Sequence, residues 1–171
     1  LTNTVTPIAG SWSDGIPVLV IGTAGEVPLL GKYKGYLHEY KDQHGVMEAA
    51  AGSRLVTRTD DLETATIELL AGMQTGRARP AVLEVPIDTM AASTTTRPQA
   101  APARLQVPVP NAEAVRRTAL MLRQATHPLI FAGGGVVASG GHLLLLRLAE
   151  LLRAPGLTSI RSEEHTSELQ S

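Results

Sequence analysis

The stretch that decides the fold is the pair of apolar runs "GIPVLVIGT" (15–23) and "RPAVLEVPID" (79–88), with "DDLETATIELLAGMQTG" (60–76) between them. Both runs are short, rich in β-branched residues and bounded by Gly or Pro, which predicts strands buried on both faces. The middle segment begins with Asp as a cap and ends at Gly76, as a helix does. Four of its apolar residues lie on one helical stripe: Leu62, Ala65, Leu69 and Met73. The order strand, helix, strand predicts a parallel sheet.

A change of composition divides the chain in two. Residues 91–110, "AASTTTRPQAAPARLQVPVP", have no periodicity and concentrate Ser, Thr, Ala and Pro, which predicts an extended linker. A first domain over 1–90 and a second over 111–160 follow from this boundary. The second begins at Asn111, the cap of a helix, and has one clear strand, "PLIFAG" (128–133), followed by a helix over 140–154. We therefore predict an α/β fold of two incomplete, Rossmann-like parallel-sheet units joined by a linker.

Composition excludes several classes of function. Fifteen Lys and Arg residues against 16 Asp and Glu residues leave a net charge of −1, so no strong field would attract nucleic acid or anionic lipid. No apolar run is long enough to predict a membrane span. The chain has no cysteine, which removes disulfides and thiolate metal sites and agrees with a cytoplasmic location. No histidine has a partner at ligand spacing, so we predict no metal site.

Four collinear stretches resemble one enzyme family. They are "LTNTVTPIAGSWSDGIPVLVIGTAGEVP" (1–28), "LHEYKDQ" (37–43), "TGRARPAVLEVPID" (75–88) and "LRQATHPLIFAGGGVVASGG" (122–141). In this order and spacing they resemble the thiamine-diphosphate enzymes of the acetolactate synthase type. The first and third match the pyrimidine-binding domain after its Gly-Pro-Gly turn, and the fourth matches the start of the central domain.

The resemblance implies an internal fragment of a transferase or lyase that acts on 2-oxo acids. The family's glutamate that activates the cofactor precedes the matched region, and its Gly-Asp-Gly motif for magnesium and diphosphate has no counterpart here. We expect decarboxylation followed by acyl transfer, or a decarboxylase or lyase of the same superfamily. A non-catalytic nucleotide-binding α/β protein is the alternative from another class. The family also implies a homodimer or homotetramer, because each active site is built across a dimer interface.

His38 is the candidate catalytic residue. It stands where the synthases have Gln in a Phe-Gln-Glu sequence near the reactive carbon of the cofactor, and imidazole can carry protons near neutral pH. The alternative is an ordinary loop histidine. Just downstream, "MEAAA" (47–51) stands where the synthases have Arg-Pro-x-Thr-Lys. This difference argues against a true acetolactate synthase and leaves the resemblance to the superfamily.

A flavin or adenine nucleotide is the other candidate ligand. Arg77 matches an arginine that contacts FAD in the flavin-bearing members, and a guanidinium suits a diphosphate. Gly133, Gly134 and Gly135 follow a strand in a Gly-x-Gly-x-x-Ala spacing that could turn backbone N–H groups toward a diphosphate. No acidic residue follows at the expected distance, so a structural turn is the alternative.

The last eleven residues differ in character from everything before them. "RSEEHTSELQS" (161–171) is rich in Ser, Thr and Glu and resembles the in-frame translation of a sequencing-library adapter. We exclude this stretch from the fold prediction as a non-native tail.

Overall fold

The computed structural model describes residues 1–95 and 109–159. The chain divides into two compact units, Leu1–Val107 and Pro108–Ser171. Most of the predicted linker and the whole tail, 161–171, lie outside the described residues, so the domain boundaries drawn from the sequence stay predictions.

The first unit alternates helices and strands. Its helices are α1 (Val5–Asp14), α2 (Gln43–Ala50), α3 (Leu62–Gln74) and α4 (Ile87–Ala91), and its strands are β1 (Leu19–Ala24), β2 (Gly52–Leu55) and β3 (Ala81–Pro86). Short 3₁₀ helices occur at Thr2–Thr4, Val27–Leu29 and Thr59–Asp61. The sequence analysis predicted β1, α3 and β3 and did not assign α1, α2 or β2.

The three strands form a parallel sheet in the order β1-β3-β2. Leu19 of β1 and Gly52 of β2 both lie opposite Ala81 of β3. All six residues of β3 are buried, as predicted for a strand covered on both faces. The α/β fold with a parallel sheet is therefore confirmed.

Alternate residues of β3 contact different helices. Ala81, Leu83 and Val85 join the cluster of Ala65, Leu69 and Met73 from α3. Val82 faces the other way and packs with Ile8 of α1 and Met47 of α2. Because side chains alternate along a strand, Glu84 lies on the same face as Val82, toward α2.

The prediction that β1 is buried on both faces is wrong for this chain. Leu19 packs against the α3 cluster, yet Ile21, two residues along the same face, is 62% exposed. The reason is the strand order: β1 is an edge strand, and α3 packs over β2 and β3.

The second unit contains helices α5 (Ala112–Gln124), α6 (Gly134–Ala138) and α7 (His142–Leu152), with strands β4 (Ile130–Ala132) and β5 (Gly156–Thr158). Asn111 caps α5 as predicted, because its side-chain oxygen accepts hydrogen bonds from the backbone of Glu113 and Ala114. β4 and β5 pair in parallel, so the unit has a strand over 156–158 that the sequence analysis did not assign. Among its described residues, Ala132 and Ala154 are buried hydrophobics.

Candidate functional site

A cleft of about 170 Å³ opens at the carboxyl edge of the first unit's sheet. Its floor includes residues from all three strands: Ala24 of β1, Leu55 of β2 and Glu84 of β3. The segment between β1 and α2 and the first turn of α2 form the rest of its lining, with His38 and His44 among the lining residues. In parallel α/β sheets, ligands bind at the carboxyl ends of the strands, which makes this cleft the candidate site.

Glu84 is the buried charge at the base of this cleft, with a side chain only 1% exposed. Its Oε1 accepts a hydrogen bond from Ser53 Oγ at 2.9 Å and lies 2.9 Å from His44 Nδ1. Its Oε2 accepts a hydrogen bond from Gln43 Nε2 at 2.9 Å. A buried carboxylate requires such partners, since losing its hydration without them would be very costly.

The first turn of α2 brings two of these partners to Glu84. Asp42 begins the helix as its N-cap, with Oδ1 accepting a hydrogen bond from the backbone N–H of Gly45 at 2.8 Å. The cap fixes the next two residues, Gln43 and His44, over the end of the sheet. Gln43 Nε2 also donates to the carbonyl oxygen of Thr23 at 3.0 Å, which ties α2 to β1.

His38 lies at the third position of a tight turn that closes with the N–H of Glu39 donating to the carbonyl of Tyr36 at 3.0 Å. Its φ of +65° is in the left-handed region, which few residues other than Gly adopt, although His is among the more tolerant ones. In the part of the chain that the structure describes, its exposed ring has no hydrogen-bond partner. Strained backbone of this kind is concentrated at functional sites.

The turn that carries His38 is held by its neighbours. The carboxylate of Glu39 accepts hydrogen bonds from the backbone N–H groups of Lys34 and Gly35. The Tyr36 ring lies against Gly25, where a Cβ would clash with the Tyr36 hydroxyl. Glu39 therefore fixes the loop without binding the His38 ring, which stays free to reach a ligand.

Arg77 lies at the opposite end of the sheet, before the start of β3. Its Nη2 donates to the carbonyl oxygen of Ser13 at 2.7 Å, at the end of α1. Arg79 binds the carbonyl of Trp12 and stacks over that indole, 4.4 Å from the ring centroid. The structure therefore does not bring Arg77 together with His38, and the contacts it gives Arg77 hold the end of α1.

Gly133, Gly134 and Gly135 lie in the second unit, where β4 ends and α6 begins. Gly133 is the N-cap of α6, and a Cβ at any of the three glycines would meet open space. No close approach within this unit therefore requires glycine there. A nucleotide site at this turn stays a prediction, and the same holds for the catalytic role of His38 and the flavin contact of Arg77.

Within residues 1–95 and 109–159, no group of three or more His, Cys, Asp or Glu residues could hold a metal ion. Over the same residues no helix is long and apolar enough to cross a membrane.

Sequence reasoning missed Glu84, His44, Gln43 and Ser53 as members of one site. A single charged residue inside the apolar run "AVLEVP" was the available signal, since an acidic residue within a buried strand requires partners. Nothing in the spacing could identify those partners, because His44 and Glu84 are 40 residues apart.

The chain is similar to known enzymes over nearly its whole length. The chain is 35% identical over 162 residues to the "Probable 2-ketoarginine decarboxylase AruI" of Pseudomonas aeruginosa. The aligned region covers 94% of this chain and 29% of that protein. It is 28% identical over 166 residues to the acetolactate synthase large subunit of Corynebacterium glutamicum, which covers 93% of this chain and 26% of that protein. The chain thus spans less than a third of the length of these curated relatives. No protein-family model matches it.

A solved structure shares the fold. The crystal structure of a protein from Mycobacterium smegmatis, assigned to the thiamin diphosphate-dependent enzymes, superposes with a TM-score of 0.67 at 20% identity, over 93% of this chain and 30% of that one. The chain is therefore similar in sequence to a 2-ketoarginine decarboxylase and to acetolactate synthases, and it shares its fold with a thiamin diphosphate-dependent enzyme. The resemblance predicted from the four sequence stretches is confirmed.

Proposed function

We propose that the chain is part of an enzyme that uses thiamine diphosphate to decarboxylate a 2-oxo acid. The supporting observation is homology over nearly all of the chain to both a decarboxylase and a synthase, together with a cleft lined by His38 at the carboxyl edge of the sheet. When bound, thiamine diphosphate supplies the electron sink that lets a 2-oxo acid lose carbon dioxide.

The cleft fits the proton-handling part of this chemistry. It offers imidazole, carboxylate and amide groups that can orient a polar ligand and move protons. The described residues offer no donor set for a magnesium ion, so we assign no magnesium or diphosphate contact to them. We propose that His38 delivers or removes a proton at the substrate carbon.

The test uses the enzyme that contains this chain and a panel of 2-oxo acids, 2-ketoarginine and pyruvate included. Release of carbon dioxide that requires thiamine diphosphate and Mg²⁺ is expected. An aldehyde product would indicate a decarboxylase, whereas an acetohydroxy acid would indicate a synthase. The higher identity to the decarboxylase relative, 35% against 28%, favours the aldehyde. No release from any substrate would instead favour the non-catalytic alternative.

His38→Ala is the sharpest variant for this proposal. Loss of a general acid or base should lower kcat by about 10²–10³. His38→Gln, which restores the residue of the synthases, should keep hydrogen bonding without proton transfer and shift the product toward carboligation. An unchanged kcat in both variants would contradict the role of His38.

The flavin, the assembly and the location are further parts of the proposal. If Arg77 or the Gly133–Gly135 turn binds FAD, the purified enzyme should carry the visible flavin spectrum and Arg77→Ala should weaken it. Four of the five N–H groups of Arg77 are free of the Ser13 contact given above.

We propose a homodimer or homotetramer in the cytoplasm, which sedimentation and cell fractionation would check.

A further inference from the structure

His44 is the second imidazole of the cleft, and unlike the His38 ring its ring has a hydrogen-bond partner, Glu84. Its Nδ1 lies 2.9 Å from Oε1 of Glu84, whose side chain is 1% exposed while that of His44 is 43% exposed. One end of the ring is thus fixed against a buried carboxylate, while the side chain as a whole is partly exposed and lines the cleft.

The other partners of Glu84 decide which nitrogen of His44 carries the proton. Gln43 Nε2 can only donate, and Ser53 Oγ donates to the same Oε1 that His44 approaches. A carboxylate surrounded by donors accepts from the ring as well, so Nδ1 bears the hydrogen. Nε2 then carries the lone pair, and within the described residues it has no hydrogen-bond partner.

We propose that the Glu84–His44 pair is a second acid–base group of the cleft, with Nε2 of His44 as the atom that exchanges protons with the substrate. This inference deepens the proposed function and rests on it. Decarboxylation consumes one proton, R–CO–COO⁻ + H⁺ → R–CHO + CO₂. Nε2, which carries a lone pair in the resting ring, takes this proton from water and passes it to the carbon that loses carbon dioxide, directly or by way of His38, the other imidazole that lines the cleft.

Glu84 contributes to this role in two ways. It fixes the ring orientation and the tautomer, as carboxylates do for catalytic and metal-bound histidines. Its negative charge also offsets the positive charge that the ring gains when Nε2 is protonated. The other ionisable groups lining the cleft are His38, Tyr36, Tyr40, Lys41 and Asp42, and the Asp42 carboxylate accepts a hydrogen bond from the N–H of Gly45.

The first experiment needs no cofactor and uses the 171-residue chain. Nitrogen-15 NMR of the imidazole rings should show the Nδ1–H tautomer for His44. Glu84→Met, which removes the acceptor but keeps an unbranched side chain, should return the ring toward the Nε2–H tautomer that free histidine prefers. Glu84→Gln, whose carbonyl oxygen can still accept, serves as the folded control and should retain Nδ1–H. An Nε2–H tautomer in the unmodified chain would overturn the proposal.

The second experiment uses the enzyme that contains this chain. His44→Gln should lower kcat by about 10² with little change in KM, since the group acts on a proton and not on binding. Added imidazole should partly restore the rate of His44→Ala, a result that a purely structural residue would not give. His127→Gln, at an exposed position of the second unit, is the matched control and should behave like the unmodified enzyme.

The outcomes separate the two proposals. Carbon dioxide release by the unmodified enzyme with an equal rate in His44→Gln would overturn the role of His44 and leave the proposed function standing. No carbon dioxide release by the unmodified enzyme would overturn the proposed function and with it the substrate chemistry of His44. The NMR tautomer would then decide the Glu84–His44 pair independently.

Discussion

At the scale of single residues, Glu84 links three elements of the first unit. It is fully buried on the central strand, yet its partners come from α2 and β2: Gln43, His44 and Ser53. No buried side-chain nitrogen or oxygen among the described residues is left without a hydrogen bond. A charge in this position is tolerated because both carboxylate oxygens of Glu84 have hydrogen-bond partners.

Glu84→Ala should lower the free energy of unfolding of the chain by about 2–3 kcal/mol. The substitution leaves Ser53 Oγ without its acceptor in the interior and opens a small cavity, whereas Gln43 and His44 can turn to water. Glu84→Gln should cost less, because the amide keeps the volume and one acceptor. Urea denaturation followed by circular dichroism would measure both, and equal stability of Glu84→Ala and the unmodified chain would contradict the importance of this network.

The backbone of His38 supports a prediction that separates stability from activity. Because φ is +65°, His38→Gly should relieve strain and raise the free energy of unfolding by about 0.5–1 kcal/mol. His38→Ala keeps a Cβ in the same conformation and should change stability by less than about 0.5 kcal/mol. Thermal unfolding of the two variants side by side is the measurement. A destabilised His38→Gly would show that the turn is not strained.

At the scale of elements, the two faces of α3 differ in burial. Ala65, Leu69 and Met73 are buried against β3, at the spacing that the sequence predicted. Gly72, one residue before Met73, is exposed, and a Cβ added there would meet nothing within 4 Å. The helix therefore gains its stability from packing on one side and loses some to glycine on the other.

Two substitutions on α3 should act in opposite directions. Leu69→Ala removes buried methyl groups from the cluster and should cost about 2–5 kcal/mol. Gly72→Ala has room for its methyl group and should raise stability by about 0.5–1 kcal/mol, because alanine loses less backbone entropy in a helix. Denaturant unfolding of both would check the expectation. A destabilising Gly72→Ala would mean that another part of the protein covers this face.

At the scale of the whole molecule, the two units are built unequally. The first encloses a parallel sheet between helices, with β3 wholly buried. In the second, α5 and α7 have no buried residue among those described, and Leu144 and Leu151 are 74% and 80% exposed. The candidate cleft is formed entirely within the first unit.

The 171-residue chain by itself should not bind thiamine diphosphate tightly. Its sequence has no Gly-Asp-Gly motif, and its described residues offer no donor set for the magnesium ion that would neutralise the diphosphate. Titration calorimetry with the cofactor and Mg²⁺ should therefore give no strong signal. Tight magnesium-dependent binding would show that other residues of the chain supply these contacts.

Much of the fold could be predicted from local pattern alone. The runs around β1, β3 and β4, the stripe on α3 and the Asn111 cap all have short-range signatures, because periodicity and capping involve neighbours in sequence. β2 was missed because "GSRL" is short and only one of its residues is an apolar strand former. α6 and β5 are also short, and β5 is defined by its pairing with β4.

The sequence by itself determined the α/β class, the parallel direction of the strands and the similarity to acetolactate synthases and a 2-ketoarginine decarboxylase, since these follow from repeated local patterns and collinear motifs. Only the tertiary structure decided that His44 pairs with Glu84 and that Arg77 lies at the far end of the sheet from His38. It also decided that one face of β1 is exposed. These facts depend on which strand is central and on side chains that meet across 40 residues or more, and no local preference encodes such a meeting.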